Sequence, residues 1–197
     1  TNVSFNLIVN QFKPPFDNAK IRKAMVLTMD RKAFIDILGH GQFLQGGAMM
    51  PPPSGVWGMP KEFLKTTAGY DPDVKGNRAK AREIMKSLGY GPDKPLKVKV
   101  STRNIAAYRD PAVILIDHLK EIYIDATLDT IETSNWHAKV ARKDYMVGLN
   151  ATGIGVDDPD ANFYENYSCG SQRNYTGYCK PEMEKLFKQQ SMMEDQA

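Results

Sequence analysis

Apolar and polar positions alternate over VSFNLIVN (3–10), which predicts a strand. FKPPFDN follows as a turn, where Pro14 and Pro15 have no N–H to offer a ladder. In AKIRKAMVLTM, Ile21, Ala24, Met25 and Thr28 recur at helical spacing behind Asp17 or Asn18 as cap. DRKAFIDILGHG predicts a second helix, from Asp30 as N-cap to Gly39 or Gly41 as a left-handed stop. From Asn77 helices and strands alternate. NRAKAREIMKSLG is a helix ending at Gly89, LKVKVST a strand, and RDPAVILIDHLKEI a helix capped by Asp110 with Pro111 first. ATLDTIE is a strand, SNWHAKVAR a helix capped by Ser134, and YMVGLNA a strand. An amphipathic helix closes the chain. Strands separated by helices in this way form βαβ units, so the fold class is α/β with a mainly parallel central sheet flanked by helices.

Residues 43–75 break the pattern. They hold five of the 12 prolines and five of the 15 glycines, which predicts a long surface loop inserted in the domain. Ordered loops of this length are usually functional. Trp57 within it is expected to plug the loop onto its own domain, with a ligand-facing role as the alternative. In open parallel sheets, ligands bind beyond the carboxyl ends of the strands. That rule selects the loops 101–108, 133–136 and 152–158 and predicts that all three open on one edge.

Composition narrows the classes. The 197 residues suit one or two domains, and 42% hydrophobic with 25% charged residues is ordinary for a globular chain. The net charge of +3 is dispersed, which disfavours nucleic acid as a partner. No apolar run of 18 residues exists, so no transmembrane segment is expected. The start lacks a signal-peptide pattern, and both ends look cut, as in a piece of a longer protein. Cys169 and Cys179 are not in CxxC spacing and lie far in sequence from His40, His118 and His137, so a zinc site is disfavoured. A disulfide in an oxidising compartment is the better reading, with two free buried thiols as the alternative.

Reactive chemistry finds no support. GIGVDDPD lacks the last glycine of a dinucleotide fingerprint, since Asp158 stands there. The plain reading is Asp158 as N-cap, Pro159 as first helical residue, and Asp160 favouring the helix dipole. An EF-hand reading fails on its glycine and glutamate positions. There is no GxSxG elbow and no cysteine–histidine context, so no catalytic residue, metal site or cofactor is expected. His118 reads as an exposed helix residue. His137 adjoins Trp136 at the expected cleft edge, where ligand contact is the minority reading.

PPFDNAKIRKAMVLTMDRKAFID resembles the PPFxDxxVRxAxxxAIDR segment of the family 5 extracellular solute-binding proteins, receptors of ABC importers for peptides and nickel. DPDANFYENYSCGS followed by NYTGYCKPEMEKLF resembles the late part of the same lobe. The resemblance implies a type II periplasmic-binding-protein-like lobe of a two-lobed, Venus-flytrap receptor. Residues 1–197 would be a single ligand-binding lobe lacking its C-terminal part. It also implies a periplasmic or extracellular bacterial location, membrane-associated, with a small-molecule solute and ABC permease subunits as partners and a monomeric state. It matches Trp136 to a pocket tryptophan and Thr152, Gly153, Ile154 and Gly155 to the pocket loop. No acid falls where peptide receptors anchor an amino terminus; Asp157 comes two residues late, and Leu149 stands where some carry an arginine. A buried ammonium without a carboxylate partner is costly. The expected solute is therefore uncharged or singly anionic, with Arg103 or Arg142 as the nearby cation. Asn104 and Tyr108, on the first rim loop, complete the candidate ligand contacts. A dipeptide or oligopeptide receptor with relocated anchors, and a sensor without transport, are the alternatives. A nickel chelate is disfavoured, since imidazole and soft ligands are sparse. The Cys169–Cys179 staple would hold the loop after the pocket helix, with Tyr175 and Tyr178 packed beneath it.

Overall fold

The computed structural model describes residues 3–47, 49–52, 55–153 and 155–193. Four strands, β1 (Val3–Val9), β2 (Leu96–Arg103), β3 (Ile124–Ile131) and β4 (Val147–Gly153), form one sheet in the order β1-β4-β2-β3. β2 pairs in parallel with both β3 and β4, while β1 runs antiparallel along β4 with Val3 opposite Gly153 and Val9 opposite Val147. The helices are α1 (Ala19–Thr28), α2 (Arg31–Gly39), α3 (Lys61–Thr66), α4 (Val74–Ser87), α5 (Ala106–Lys120), α6 (Thr133–Ala141), α7 (Pro159–Asn166) and α8 (Pro181–Gln190). The α/β class with a mainly parallel sheet is therefore observed.

The chain's crossovers explain the layering. From β2 the chain passes through α5 to the edge strand β3, then returns through α6 past β2 to β4. Right-handed crossovers running in opposite directions place their helices on opposite faces. One face carries the main core, where Leu96, Val98, Val100, Val147 and Leu149 meet Ala112, Leu115 and Leu119 of α5 and Met25 and Ala81 of α1 and α4. The other carries a smaller cluster of Ile8, Trp136, Val140, Tyr145 and Tyr175. Central β4 is consequently buried over its first four residues, on both faces.

Local signals account for most boundaries. Asn18, Asp30 and Asp73 each accept a first-turn backbone N–H at the starts of α1, α2 and α4. α2 stops at His40, which is left-handed at φ 48°. Asn10 ties the end of β1 to the start of β4: its amide donates to the carbonyls of Lys143 (2.7 Å) and Tyr145 (2.9 Å) and accepts from Phe12 N–H (3.1 Å).

Several expectations need correction. α5 begins at Ala106, behind Ile105 and without a side-chain cap, so Asp110 is not its cap and Pro111 lies inside it. The missing N–H of Pro111 frees the carbonyl of Ala107, an exposed residue, which water can serve. α6 begins at Thr133 behind Glu132, and Ser134 is not its cap. The segment 43–75 is not loop throughout, since α3 occupies Lys61–Thr66 and α4 opens at Val74.

His118 is buried rather than exposed. Its ring meets Phe34 of α2 edge-on at 5.3 Å, its carbonyl accepts from Thr28 Oγ1 at 2.8 Å, and its Nδ1 has no partner among the described residues. Burial first, and Arg78 second, lower its pKa against the opposing pull of Asp30, Asp117 and Glu121. Because the unfolded chain takes the proton more readily, His118 supports full stability above the ordinary value of 6.5 and withdraws it as the pH falls below. Denaturation midpoints measured at about pH 5 and about pH 7.5 should therefore differ less in His118→Leu than in the native chain.

Gly69 closes the turn before α4. Its φ of +78° is one that other residues resist, and a Cβ there would lie 2.4 Å from the carbonyl oxygen of Val26. Its own carbonyl accepts from Arg31, whose guanidinium covers the Tyr70 ring at 3.7 Å. Gly69→Ala is expected to lower unfolding free energy by about 1–3 kcal/mol in denaturant titration.

Candidate functional site

Parallel pairing of β2, β3 and β4 sends all three following segments off one edge of the sheet. The antiparallel β1 adds its beginning to that edge, since Val3 and Ser4 pair with Gly153 and Thr152. The rim thus comprises Val3–Phe5, Arg103–Tyr108, the start of α6 and the loop after β4.

At the β2 end, Asn104 bridges two rim segments. Its N–H donates to Ile131 O at 2.9 Å, its amide donates to Glu132 Oε1 at 2.9 Å, and Arg109 reaches its Oδ1 at 3.4 Å. Arg103 lays its guanidinium 4.3 Å from the centre of the Tyr108 ring, and Tyr108 meets Phe5 edge-on at 6.0 Å. Arg103 Nε is buried and has no hydrogen-bond partner among the described residues. The enclosed Nε is out of a solute's reach, so what Arg103 offers the rim is the charge of its half-buried guanidinium, which makes no ion pair among the described residues. His137, exposed on α6, has its pKa lowered by partial burial and then by the nearby Arg103 and Arg173.

Trp136 is placed otherwise than expected. It is 0% exposed, packed with Ile8, Val140 and Tyr145, and its Nε1 donates to Asn150 Oδ1 at 3.2 Å. The side chain forms the floor under the rim and offers no surface to a solute. Trp136→Phe would leave the buried Asn150 oxygen without its donor, and should cost about 1–3 kcal/mol in denaturant-measured stability. Leu149 is likewise core. Arg142 follows the end of α6 that points away from the rim, so of the two candidate cations it is Arg103 that the fold brings to this edge.

The loop after β4 is open. Thr152 is half-buried, Gly153 and Gly155 are exposed, and a Cβ on Gly155 would meet nothing within 4 Å. Ile154 lies outside the described residues. Asp158 caps α7 by accepting from Asp160 N–H at 2.8 Å, with Pro159 at the first helical position. Asp157 is engaged by the Pro/Gly-rich segment: its Oδ2 accepts from Val56 N–H at 2.7 Å and its carbonyl accepts from Trp57 Nε1 at 3.0 Å. Trp57 does plug its loop onto its own domain.

Beyond α7, Cys169 and Cys179 are joined in a disulfide. The stapled loop wraps buried Asn174, whose amide donates to the carbonyls of Ser168 and Tyr178, at 3.0 and 2.5 Å. Tyr145 donates to Tyr175 O at 2.7 Å, and Gln11 N–H donates to Thr176 O at 3.1 Å, which pins the loop to the sheet beside Trp136. Tyr175 is buried there, and Tyr178 packs edge-on against Tyr167 at 6.5 Å.

Sequence reasoning missed Phe5, Val56 and Met50. Phe5 reads as one more strand residue until the antiparallel pairing of β1 is known. Met50, whose sulfur accepts from Ser4 Oγ at 3.6 Å, is carried to the rim only by the docked loop. Among the described residues no group of three or more His, Cys, Asp or Glu could hold a metal, and no helix is long and apolar enough to cross a membrane.

The family described as bacterial extracellular solute-binding proteins, family 5 Middle, matches residues 1–174, and the chain belongs to it. Among curated relatives, the oligopeptide-binding protein OppA of Bacillus subtilis is 28% identical over 180 residues, covering 89% of this chain and 32% of that protein. The probable ABC transporter periplasmic-binding protein SapA of Escherichia coli is 25% identical over 193 residues, covering 95% of this chain and 33% of that protein. The crystal structure of Haemophilus influenzae OppA in complex with RPPGFSPFR superposes with a TM-score of 0.84 at 22% identity, over 99% of this chain and 38% of that one. The fold is therefore that of periplasmic binding proteins of this type. The chain spans about a third of the length of the curated relatives it matches.

Proposed function

We propose that residues 1–197 form one ligand-binding lobe of a bacterial solute receptor for an ABC importer, acting in the periplasm or on the outer cell surface. The solute is enclosed between this rim and a second lobe, and the closed form is the one recognised by the permease. No chemistry is performed, the receptor acts as a monomer, and neither nucleic acid nor a cofactor is involved. Family membership supports the receptor reading, together with relatives named as periplasmic and oligopeptide-binding proteins.

The observation that carries the ligand class is Arg103. It is a half-buried rim cation resting against the Tyr108 ring without an ion pair among the described residues, while Gly155 leaves open space and Asp157 accepts from Val56 N–H within the lobe. A singly anionic or uncharged solute fits this set, with Arg103, Tyr108, Thr152, Gly153, Gly155 and the outer edge of Asn104 lining its place. A peptide receptor with relocated anchors is the second reading, favoured by relatives named for oligopeptides and by the peptide complex of the H. influenzae protein.

Native mass spectrometry of the complete receptor, isolated from its own host, should detect a retained small molecule. Arg103→Met in that receptor should release it, whereas a retained dipeptide or oligopeptide with a free amino terminus would favour the second reading. By calorimetric titration this chain alone should bind the released molecule far more weakly than the complete receptor. Full-strength binding by the isolated chain would sink the two-lobe reading.

A further inference from the structure

Two segments about 100 residues apart in sequence meet at a single aspartate. Val56 N–H donates to the Asp157 carboxylate at 2.7 Å, and the neighbouring Trp57 indole donates to the Asp157 carbonyl at 3.0 Å. Gly55 lies so close beneath that a Cβ on it would stand 2.8 Å from Asp157 Oδ1. The same segment is held further back, where Ser4 Oγ donates to Met50 Sδ at 3.6 Å and Asn162 donates to Met49 Sδ at 2.9 Å. It is thus attached to β1, to the loop after β4, and to α7. Of these attachments, only the one at Asp157 lets one residue accept through both its side chain and its main chain.

We infer that Asp157 is a positioning residue, a latch that joins the Pro/Gly-rich segment to the loop after β4 so that both form one wall of the cleft. A carboxylate suits this task because a charge-assisted bond to a backbone N–H is shorter and stronger than a neutral one. That these two segments wall a solute cleft rests on the receptor reading given above; the latch itself is tested without solute.

The test is hydrogen exchange by NMR on the ¹⁵N-labelled 197-residue chain, comparing native, Asp157→Asn and Asp157→Ala proteins. In Asp157→Ala, the Val56 amide should exchange at least about tenfold faster, as loss of a hydrogen bond to a charged group predicts. The Trp57 indole should also exchange faster, although its own acceptor, the backbone carbonyl, is left in place. Asp157→Asn keeps an acceptor oxygen and should fall between the other two, while amides of β4 and α5 stay unchanged in both variants. A Val56 amide unprotected in the native chain would overturn the latch. So would a Trp57 indole indifferent to Asp157→Ala, since the two bonds would then be independent. An Asn variant no slower than Ala would do the same. If the Ala variant fails to fold, the native-to-Asn difference at Val56 and Trp57 decides the matter. Failure of the transport reading would show up separately, as an intact latch in a protein that retains no solute.

Discussion

The parallel pairing of β2 with both β3 and β4 is the constraint on which the rest depends. Parallel neighbours cannot be joined by a tight turn, so each is reached through a crossover, here a helix, and β2, β3 and β4 all end on the same edge. Three chain segments are thereby delivered to one rim whatever their sequences. β1 then covers the exposed side of β4 in the opposite sense, which brings Val3, Ser4 and Phe5 to that rim as well. The rim is a product of topology first, and only afterwards of the residues found there.

What topology cannot supply is a firm floor beneath loops that must stay open. The floor comes from the smaller cluster on the face opposite the main core. Trp136 fills it, and its indole donates to Asn150 on the central strand. The stapled loop closes the same cluster from outside through Tyr175, with Asn174 satisfying the carbonyls of the turn around it. A loop of this kind exposes many backbone groups, and burying its middle is tolerable only because one amide side chain pairs with them. The disulfide constrains the ends of that loop, the asparagine its interior, and the sheet-side tyrosine its position.

Much of the fold was legible because local chemistry marks it. Asp30, Asp158 and Pro159 do in the structure what their residue types predict, and the strand–helix alternation from Asn77 onward yields the parallel sheet. The misreadings of Asp110, His118 and Trp136 share one cause, that local signals say nothing about which face packs. Asp110-Pro111 looks like a helix start, yet Ala106–Tyr108 extend the helix backward because Tyr108 packs against Phe5 and Arg103. From sequence His118 reads as exposed to solvent and Trp136 as facing a solute. Each instead faces inward, because the crossover hand decides which side of α5 and α6 meets the sheet. Asp157 follows β4 in the sequence, but its partners Val56 and Trp57 lie in a segment without periodicity, and nothing in sequence links the two.

The same division explains the electrostatics of the rim. Of its charged groups, Asp157 and Asp158 are each bonded to a backbone N–H, and Glu132 accepts from Asn104, so three acids are engaged within the lobe. A hydrogen bond from an N–H leaves a carboxylate its charge, so these bonds fix the acids in place without neutralising them. Arg103 has no carboxylate partner among the described residues; its guanidinium rests 4.3 Å from the centre of the Tyr108 ring and its Nε is enclosed. The rim therefore carries both signs, the acids placed by bonds within the lobe and Arg103 by an aromatic ring.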